Sequence, residues 1–494
     1  LTKVVIANSV GIDRQGKYII HSPSRWSVGV EDEMDWFAYY PWELAYLSSL
    51  LKRETDAEVK FLDGCLKKLN LEHYLQAIIN EKPQWLVMEP SSRTIKDDFA
   101  LALRVKEELG TRIVLTGQHA TAFPEELLQQ GADYVCVGEY ELTVLDLIEG
   151  LPPDQIPGLY PNGRRPLLDV NKLPYPEDDD VSRLDYAFPG EPNCDYVEIQ
   201  AYASRGCPMS CTFCVARNIY YGRPLWRGRR VEDVVGEIKC LKEKYPRMEG
   251  IFFDEEEHNA NKGFIMELTK ALCEEGLYKL RYNAMCGYWT LDREMLQAMA
   301  DAGYYKIRVG IETASEAVAS AIKKPIDLRR IYTSLSFAKD ARLKTYGTFI
   351  IGAPMATRQE DMKTVGLIKR LVRDGLLDGL QVSITTPQPG TPFYHWAEEQ
   401  GFLLKQDWSR FDGGACAVVS YPDYPKEEIE EVFNLASEVR DHMVLVRKMR
   451  EEGMGRLFKS ARARYGGWTA LRKAVRRLGR ELDYRRRFHR ENKR

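Results

Sequence analysis

Apolar and polar positions alternate in two regimes over the first ~150 residues. Lys3–Asn8 is a β-branched run and predicts a strand, and Pro41–Arg53 has apolar positions at helical spacing. Val59–Leu62 predicts a strand ending in Asp63-Gly64, Leu71–Asn80 a helix, and Trp85–Met88 a strand. Lys96–Leu109 predicts a helix, Arg112–Thr116 a strand and Pro124–Gln130 a helix. Tyr134–Val137 predicts a strand running into Gly138-Glu139-Tyr140-Glu141 and a further helix. Strands alternating with helices at this spacing imply an α/β domain over 1–150, a doubly wound, Rossmann-like parallel sheet. Ligands of such sheets sit beyond the carboxyl ends of the strands. The loops of interest therefore follow Ile6, Asp63, Met88, Thr116 and Val137.

Residues 151–196 are rich in Pro, Asp and Gly and read as a linker, with a long ordered surface loop as the alternative. A second βα series follows over 197–402. Its strands are predicted at Val197–Ala201, Gly250–Phe253, Leu280–Asn283, Lys306–Gly310, Thr345–Ile350 and Leu380–Ile384. Helical patterns lie between them, and six repeats point to a complete or partial barrel with its chemistry at the carboxyl ends of the strands. Residues 403–494 are read as a helical and finally basic region.

Composition narrows the class. The chain has 494 residues, 44% hydrophobic and 29% charged, which excludes disorder, collagen and a small disulfide scaffold. No run of apolar residues is long enough to span a membrane. The start reads as a strand rather than a signal peptide. Net charge is −3, yet Arg447 to Arg494 holds 18 Lys/Arg against 5 Asp/Glu, leaving the rest of the chain strongly acidic. Seven of the ten Cys are scattered, and Cys207, Cys211 and Cys214 are clustered. A reducing, cytoplasmic setting with one metal-type cluster fits this usage.

The stretch Ser204-Arg205-Gly206-Cys207-Pro208-Met209-Ser210-Cys211-Thr212-Phe213-Cys214 follows the first strand of the second series. Three Cys at C-x3-C-x2-C can ligate three irons of a [4Fe–4S] cube and leave the fourth iron open. Zinc would want a fourth protein ligand, and no Cys or His lies close downstream. A zinc site or three unrelated thiols remain the alternatives. The motif resembles that of the radical S-adenosylmethionine (SAM) superfamily, and later segments match that family in order. Phe213 holds the place of its aromatic near the adenine. Phe252-Phe253-Asp254-Glu255 ends the second strand, where the resemblance puts the methionine-amine contact. Gly310-Ile311-Glu312-Thr313 looks like the family's fourth-strand segment, with Thr313 for the usual Ser. Gly347 to Pro354, including Ile351, is similar to its fifth-strand adenine-binding stretch. Pro387-Gln388-Pro389-Gly390-Thr391-Pro392 is similar to its sixth-strand turn. The resemblance implies a cluster- and SAM-dependent enzyme generating a 5′-deoxyadenosyl radical, fed by a flavodoxin- or ferredoxin-type electron donor.

A second resemblance covers the first domain. Leu115-Thr116-Gly117-Gln118-His119-Ala120-Thr121, Pro124-Glu125-Glu126 and Gly138-Glu139-Tyr140-Glu141 are similar to segments of the cobalamin-binding domain fused to many radical SAM enzymes. Gln118 and Tyr140 depart from its pattern. The resemblance implies cobalamin contacts from Thr116, Gly117, Gln118, His119, Gly138, Glu139 and Tyr140. No Asp-x-His-x-x-Gly run is present, so His119 is read as shaping a loop rather than binding cobalt. A Rossmann unit holding nothing is the alternative.

In Asp254-Glu255-Glu256-Glu257-His258, Glu255 is assigned to SAM and the others to solvent or salt bridges. Cys286 reads as a buried inert thiol, and Tyr288 and Trp289 as packing. Trp468, Leu471, Val475, Leu478 and Leu482 make one apolar stripe flanked by Arg and Lys. That stripe reads as a helix docked on the barrel, with a peripheral membrane contact or a grip on an anionic substrate as the sharper reading and nucleic acid disfavoured. Taken together, the resemblances imply a cobalamin-dependent C-methyltransferase acting on a small-molecule or lipid substrate. A non-methylating rearrangement, cyclisation or oxidation is the alternative, and a methylthiotransferase is disfavoured for want of a second three-Cys cluster.

Overall fold

The computed structural model describes residues 2–22, 26–188, 196–404, 407–414 and 416–444. The first sheet holds β1 (Lys3–Ala7), β2 (Glu58–Leu62), β3 (Trp85–Met88), β4 (Arg112–Leu115) and β5 (Tyr134–Val135), ordered β2-β1-β3-β4-β5. Every pairing is parallel. β1 and β3 are apolar along nearly their whole length because both faces are covered by helices. β5 is shorter than its apolar pattern predicts: Cys136 leaves the ladder to bridge Leu159.

The second sheet runs in chain order through β6 (Glu198–Ala201), β7 (Gly250–Phe253), β8 (Arg281–Cys286), β9 (Tyr304–Glu312), β10 (Lys344–Ile351) and β11 (Gly379–Ile384). All its pairings are parallel, and β6 does not pair with β11, so the barrel is partial. Its helices start where side chains can cap them. Asn261, Asp292, Ser315, Asp327, Thr357 and Thr391 each accept the amide three residues on, and a cap of this kind stabilises by about 1 kcal/mol over Ala.

Residues 151–188 form an ordered strap rather than a free linker. Glu177 takes Lys52 at 2.7 Å, and Asp180 takes Lys52 at 2.9 Å and the Phe61 amide at 2.9 Å, all on the first domain. Arg183, 2% exposed, pairs with Glu237 and donates to the Gln200 carbonyl of the barrel. The strap therefore stitches the two sheets together. A single hydrophobic cluster runs from Val4 and Phe61 through stacked Trp42 and Tyr202 into the barrel, so the two domains share one core.

Three features lie outside the predicted elements. An antiparallel hairpin spans Tyr18–Ser22 and Trp26–Val30. A second pairs Ser204–Cys207 with Leu225–Gly228, and a π-helix at Ala216–Tyr221 sits between its strands. Among the described residues beyond Leu403 the chain is irregular before a helix at 426–444, so the helical reading fails ahead of 426 and holds over 426–444. Asp407 and the bridges Leu403–Val419 and Tyr421–Tyr424 fold that stretch locally. The basic stripe from Trp468 to Leu482 lies outside the described residues. No helix among the described residues is long and apolar enough to cross a membrane.

Candidate functional site

A cavity of about 330 Å³ opens at the carboxyl ends of the barrel strands. Phe213, Cys214, Glu255, Glu256 and Glu312 line it, with Thr348, Phe349 and Ile350 from β10 and Thr385, Thr386 and Gln388 from the sixth-strand turn. Trp26 of the first hairpin and Gly413 complete the wall. Trp26 is held edge-on by Tyr39 at 5.4 Å. A side chain at Gly413, where φ is +71°, would meet the Trp26 Cβ at 2.8 Å. Neither was visible as a site residue in the sequence: no element was predicted between Asn8 and Pro41, and only the tertiary fold brings Trp26 to the wall.

The cysteine loop leaves the barrel through Ser204–Cys207, and the acidic run after β7 holds it at successive points. Glu255 Oε2 accepts the Ala203 N–H at 2.5 Å, and Oε1 accepts the Ser204 hydroxyl at 3.1 Å. His258 Nδ1 contacts the same carboxylate at 2.6 Å, while its Nε2 meets the Tyr304 hydroxyl at 2.7 Å. Glu256 accepts the Gly206 N–H at 2.8 Å and the Tyr221 hydroxyl at 3.0 Å. Glu257 accepts the Cys207 thiol at 2.9 Å. The expectation that Glu256 and Glu257 face solvent or salt bridges is therefore corrected: they anchor the cysteine loop. Glu255 stays on the cavity wall, but its carboxylate is spent on the loop. Burial pushes the Cys211 thiol up to about 12 and raises Cys207 further, with Glu257 adding to the shift at Cys207. Loading a metal cluster must strip those protons. Among the described residues no three His, Cys, Asp or Glu side chains converge on a single-ion site.

Glu312 reaches the wall through strained backbone. Its φ is +67°, and the β9–β10 register shifts between Gly310 and Glu312. Lys324 pairs with it at 2.8 Å, and Glu312 and Cys211 both raise the Lys324 pKa against its burial. A Cβ on Gly310 would fall 2.7 Å from the Glu312 carboxylate and 2.8 Å from the Lys324 ammonium, so that glycine makes room for the pair. Lys324 carries no sequence signal beyond being one Lys of a pair.

Other expected contacts sit off the wall. Asp254 is buried, its amide bonded to the Ala201 carbonyl at 3.2 Å. Thr313 accepts the Ser315 amide at 3.0 Å and meets Thr364 at 3.2 Å. Gly347 packs against the Phe349 ring, and the Ile351 carbonyl accepts the Thr385 amide at 2.8 Å. Pro387 is buried between the two wall residues Thr386 and Gln388. These residues shape strand ends whose neighbours face the cavity. Cys286 is buried, and Tyr288 packs on Trp289 with centroids 4.1 Å apart.

The strand-end loops of the first sheet face the barrel. Gln118 donates to Gln388 on the cavity wall. Thr116 donates to the Met88 carbonyl at 3.1 Å. Gly117 has φ +85°, and a Cβ there would lie 2.4 Å from the Glu89 side chain. Gly138, at φ +78°, donates its amide to Thr121 at 3.1 Å. His119 meets Ser92 at 3.1 Å and packs on Phe123 and Trp408, and burial lowers its pKa to about 3. Burial thus favours its neutral form.

Glu139 and Tyr140, expected at a ligand, are instead engaged by protein. Glu139 pairs with Arg227 at 2.6 Å and Arg205 at 3.3 Å, and Glu141 takes Arg205 at 2.6 Å. Tyr140 donates to Glu89 at 2.5 Å, and Tyr220 of the π-helix donates to the other Glu89 oxygen. Burial, with Glu43 beside it, holds the Glu89 carboxyl well above the usual range.

Family models match both halves. The Radical SAM superfamily model covers residues 202–368, and the B12 binding domain model covers 37–148. An uncharacterized methyltransferase of Pyrococcus horikoshii is 30% identical over 412 residues, which make up 80% of this chain and 86% of that one. The chain belongs to the radical SAM superfamily, with a B12 binding domain ahead of the radical SAM domain. The radical SAM methyltransferase TsrM from Kitasatospora setae, solved with tryptophan substrate and a SAM analogue, superposes with a TM-score of 0.62 at 16% identity, covering 82% of this chain and 78% of that one. The cobalamin-dependent SAM radical enzyme OxsB, solved with aqua-cobalamin and SAM, gives 0.66 at 15% identity, covering 98% of this chain and 71% of that one. At such identities these likenesses show the fold.

Proposed function

We propose that this radical SAM protein is a cobalamin-dependent C-methyltransferase acting on an unactivated carbon of a small molecule. The observation that carries the reading is convergence. Cys214, from the cysteine loop, and Gln388, bonded to Gln118 of the B12 binding domain, stand on the wall of one cavity. Three thiols on one loop fit a cube held by three cysteines. The B12 side fits too: the Gln118 Oε1 atom and the Thr386 hydroxyl are buried and lack hydrogen-bond partners on either side of the seam, and such groups call for a ligand.

When bound, the cluster, SAM and cobalamin supply the reducing electron, the hydrogen-abstracting radical and the methyl carrier. The chain's own residues provide the enclosure. Cys207, Cys211 and Cys214 are the cluster ligands. Phe213, Glu312 and the β10 stretch Thr348 to Ile350 hold SAM, with Lys324 fixing the Glu312 carboxylate. Trp26 closes the far side and keeps bulk water from the reacting carbon. His119, tied to Ser92, would shape this loop rather than hold the corrinoid. A flavodoxin- or ferredoxin-type protein delivers the electron.

The test is anaerobic reconstitution with iron, sulfide and cobalamin, then desalting. About four irons per chain with retained corrinoid bands support the reading and justify screening substrates for a methyl mass gain. Four irons without corrinoid would leave radical SAM chemistry and remove the methyl carrier.

A further inference from the structure

The hairpin that launches the cysteine loop places Arg205 and Arg227 directly opposite each other on neighbouring strands. Like charges in that position repel. Here both turn to Glu139 and Glu141 of the B12 binding domain, at 2.6 Å for the closest contact of each arginine. Arg205 also lies over the Tyr46 ring at 4.9 Å, and Arg227 over Tyr221 at 5.0 Å. Arg205, Glu139 and Glu141 are all under 8% exposed. A third tie runs parallel: Glu89 binds Tyr140 from its own domain and Tyr220 from the π-helix that follows Cys214. The cysteine loop is thus gripped on both sides, before Cys207 and after Cys214, by residues of the other domain.

We propose that Glu139, Glu141 and Glu89 are positioning residues, a clasp that fixes the separation between the B12 side and the cluster side of the cavity. Buried ion pairs such as those of Arg205 and Arg227 with Glu139 and Glu141 are a poor way to add stability and a good way to select one arrangement of two bodies. A two-cofactor reaction needs such a fixed arrangement, because a displacement of about 1 Å at a reacting centre can cost on the order of 100-fold in rate. The inference rests on the proposed function.

The experiment compares the reconstituted holoenzyme with its E139Q/E141Q variant. Glutamine keeps the shape and removes both charges facing the arginines. Two quantities are read without any substrate: the magnetic interaction between cob(II)alamin and the reduced cluster in the electron paramagnetic resonance spectrum, and the ratio of S-adenosylhomocysteine to 5′-deoxyadenosine formed from SAM. The clasp predicts that both cofactors stay bound, the interaction changes, and the ratio falls on the order of 100-fold while deoxyadenosine formation persists. An unchanged interaction and ratio with both cofactors bound would overturn it. Loss of corrinoid at full iron content would also overturn it, marking the segment as a ligand contact. Should the double variant fail to fold, E139Q alone leaves the 2.6 Å Arg205–Glu141 pair intact and carries the same readouts. If the parent enzyme retains no corrinoid, the proposed function fails before the clasp is tested.

Discussion

The substitution Glu255→Gln separates two roles for the residue that ends β7. As a SAM contact, its loss raises the SAM concentration needed for cleavage and leaves the fold alone. As the anchor of the cysteine loop, its loss is structural. Glu255 accepts from the Ala203 amide at 2.5 Å and the Ser204 hydroxyl at 3.1 Å, and meets His258 at 2.6 Å, all out of solvent. The substituted amide would turn an N–H₂ toward one of these partners in place of an accepting oxygen. Hydrogen bonds to a charged acceptor contribute about 1.5–3 kcal/mol each, and a buried donor left unmatched costs about as much. One mismatch and two weakened bonds therefore total about 3–4 kcal/mol. For two domains that share one core, unfolding with an entropy of about 0.9 kcal/mol/K, that lowers the melting midpoint by about 3–4 °C. The assay is thermal or urea unfolding of the anaerobically loaded protein, followed through the cluster's visible absorbance, beside SAM affinity by equilibrium binding. The expected outcome is early cluster loss with SAM affinity changed little below the transition. An unshifted midpoint with weakened SAM binding would refute the anchoring argument.

Two further outcomes follow from the B12 binding domain. Gly117→Ala is expected to destabilise it by about 2–3 kcal/mol, combining left-handed backbone strain with displacement of Glu89, which a Cβ would meet at 2.4 Å. Gly138→Ala, whose Cβ would meet its nearest neighbours at 3.1–3.2 Å, should cost less in the same urea titration, and equal costs would sink the Glu89 argument. His21 and His119 are each lowered by burial to about 3, below an unfolded value near 6.5. Their contribution is intact above pH ~6.5 and is lost progressively as pH falls toward ~3, where the unfolded chain binds the extra protons. Glu43 and Asp361, both raised to about 7 mainly by burial, act in the opposite sense and add stability as pH falls from ~7. The readout is therefore the difference between parent and His119→Gln: unfolding midpoints from pH 7.5 down to ~4.5 should fall less steeply for the variant.

The fold was legible because it is written in short-range pattern. Runs such as Lys3-Val4-Val5-Ile6 and Gly250-Ile251-Phe252-Phe253 are apolar on both faces, which parallel strands under helices require. The three cysteines were legible because residue type and spacing alone state their chemistry. The partners of polar side chains were not. Glu139 and Arg205 are 66 residues apart in sequence, and Glu89 and Tyr220 are 131 apart. No local pattern tells a carboxylate that binds a ligand from one that binds a distant arginine. Gly138-Glu139-Tyr140-Glu141 therefore carried its resemblance correctly as a segment, while the structure gives its side chains a different set of partners. The hairpin bearing Trp26 shows the same limit: no element was predicted there, and only the tertiary fold brings Trp26 to the cavity.

Where the buried ionisable groups lie is itself informative. Glu43, Glu89, Glu139, Glu141, Arg205 and Arg183 are all buried and all lie at or beside the seam between the sheets. Had stability been the only constraint, apolar residues of similar volume would serve there as well or better. The aromatic part of the same seam, Tyr40, Trp42 and Tyr202, holds one of those ionisable groups, the Arg183 guanidinium, over the Tyr40 and Trp42 rings at 5.4 and 5.7 Å. Glu89, Glu139, Glu141 and Arg205 lie beside the strand that carries Cys207 and the helix that follows Cys214. Apolar packing tolerates small slides between surfaces, whereas paired charges and directed hydrogen bonds do not. The polar half of the seam is thus where sliding has to be prevented, and it is the half that borders the cysteine loop.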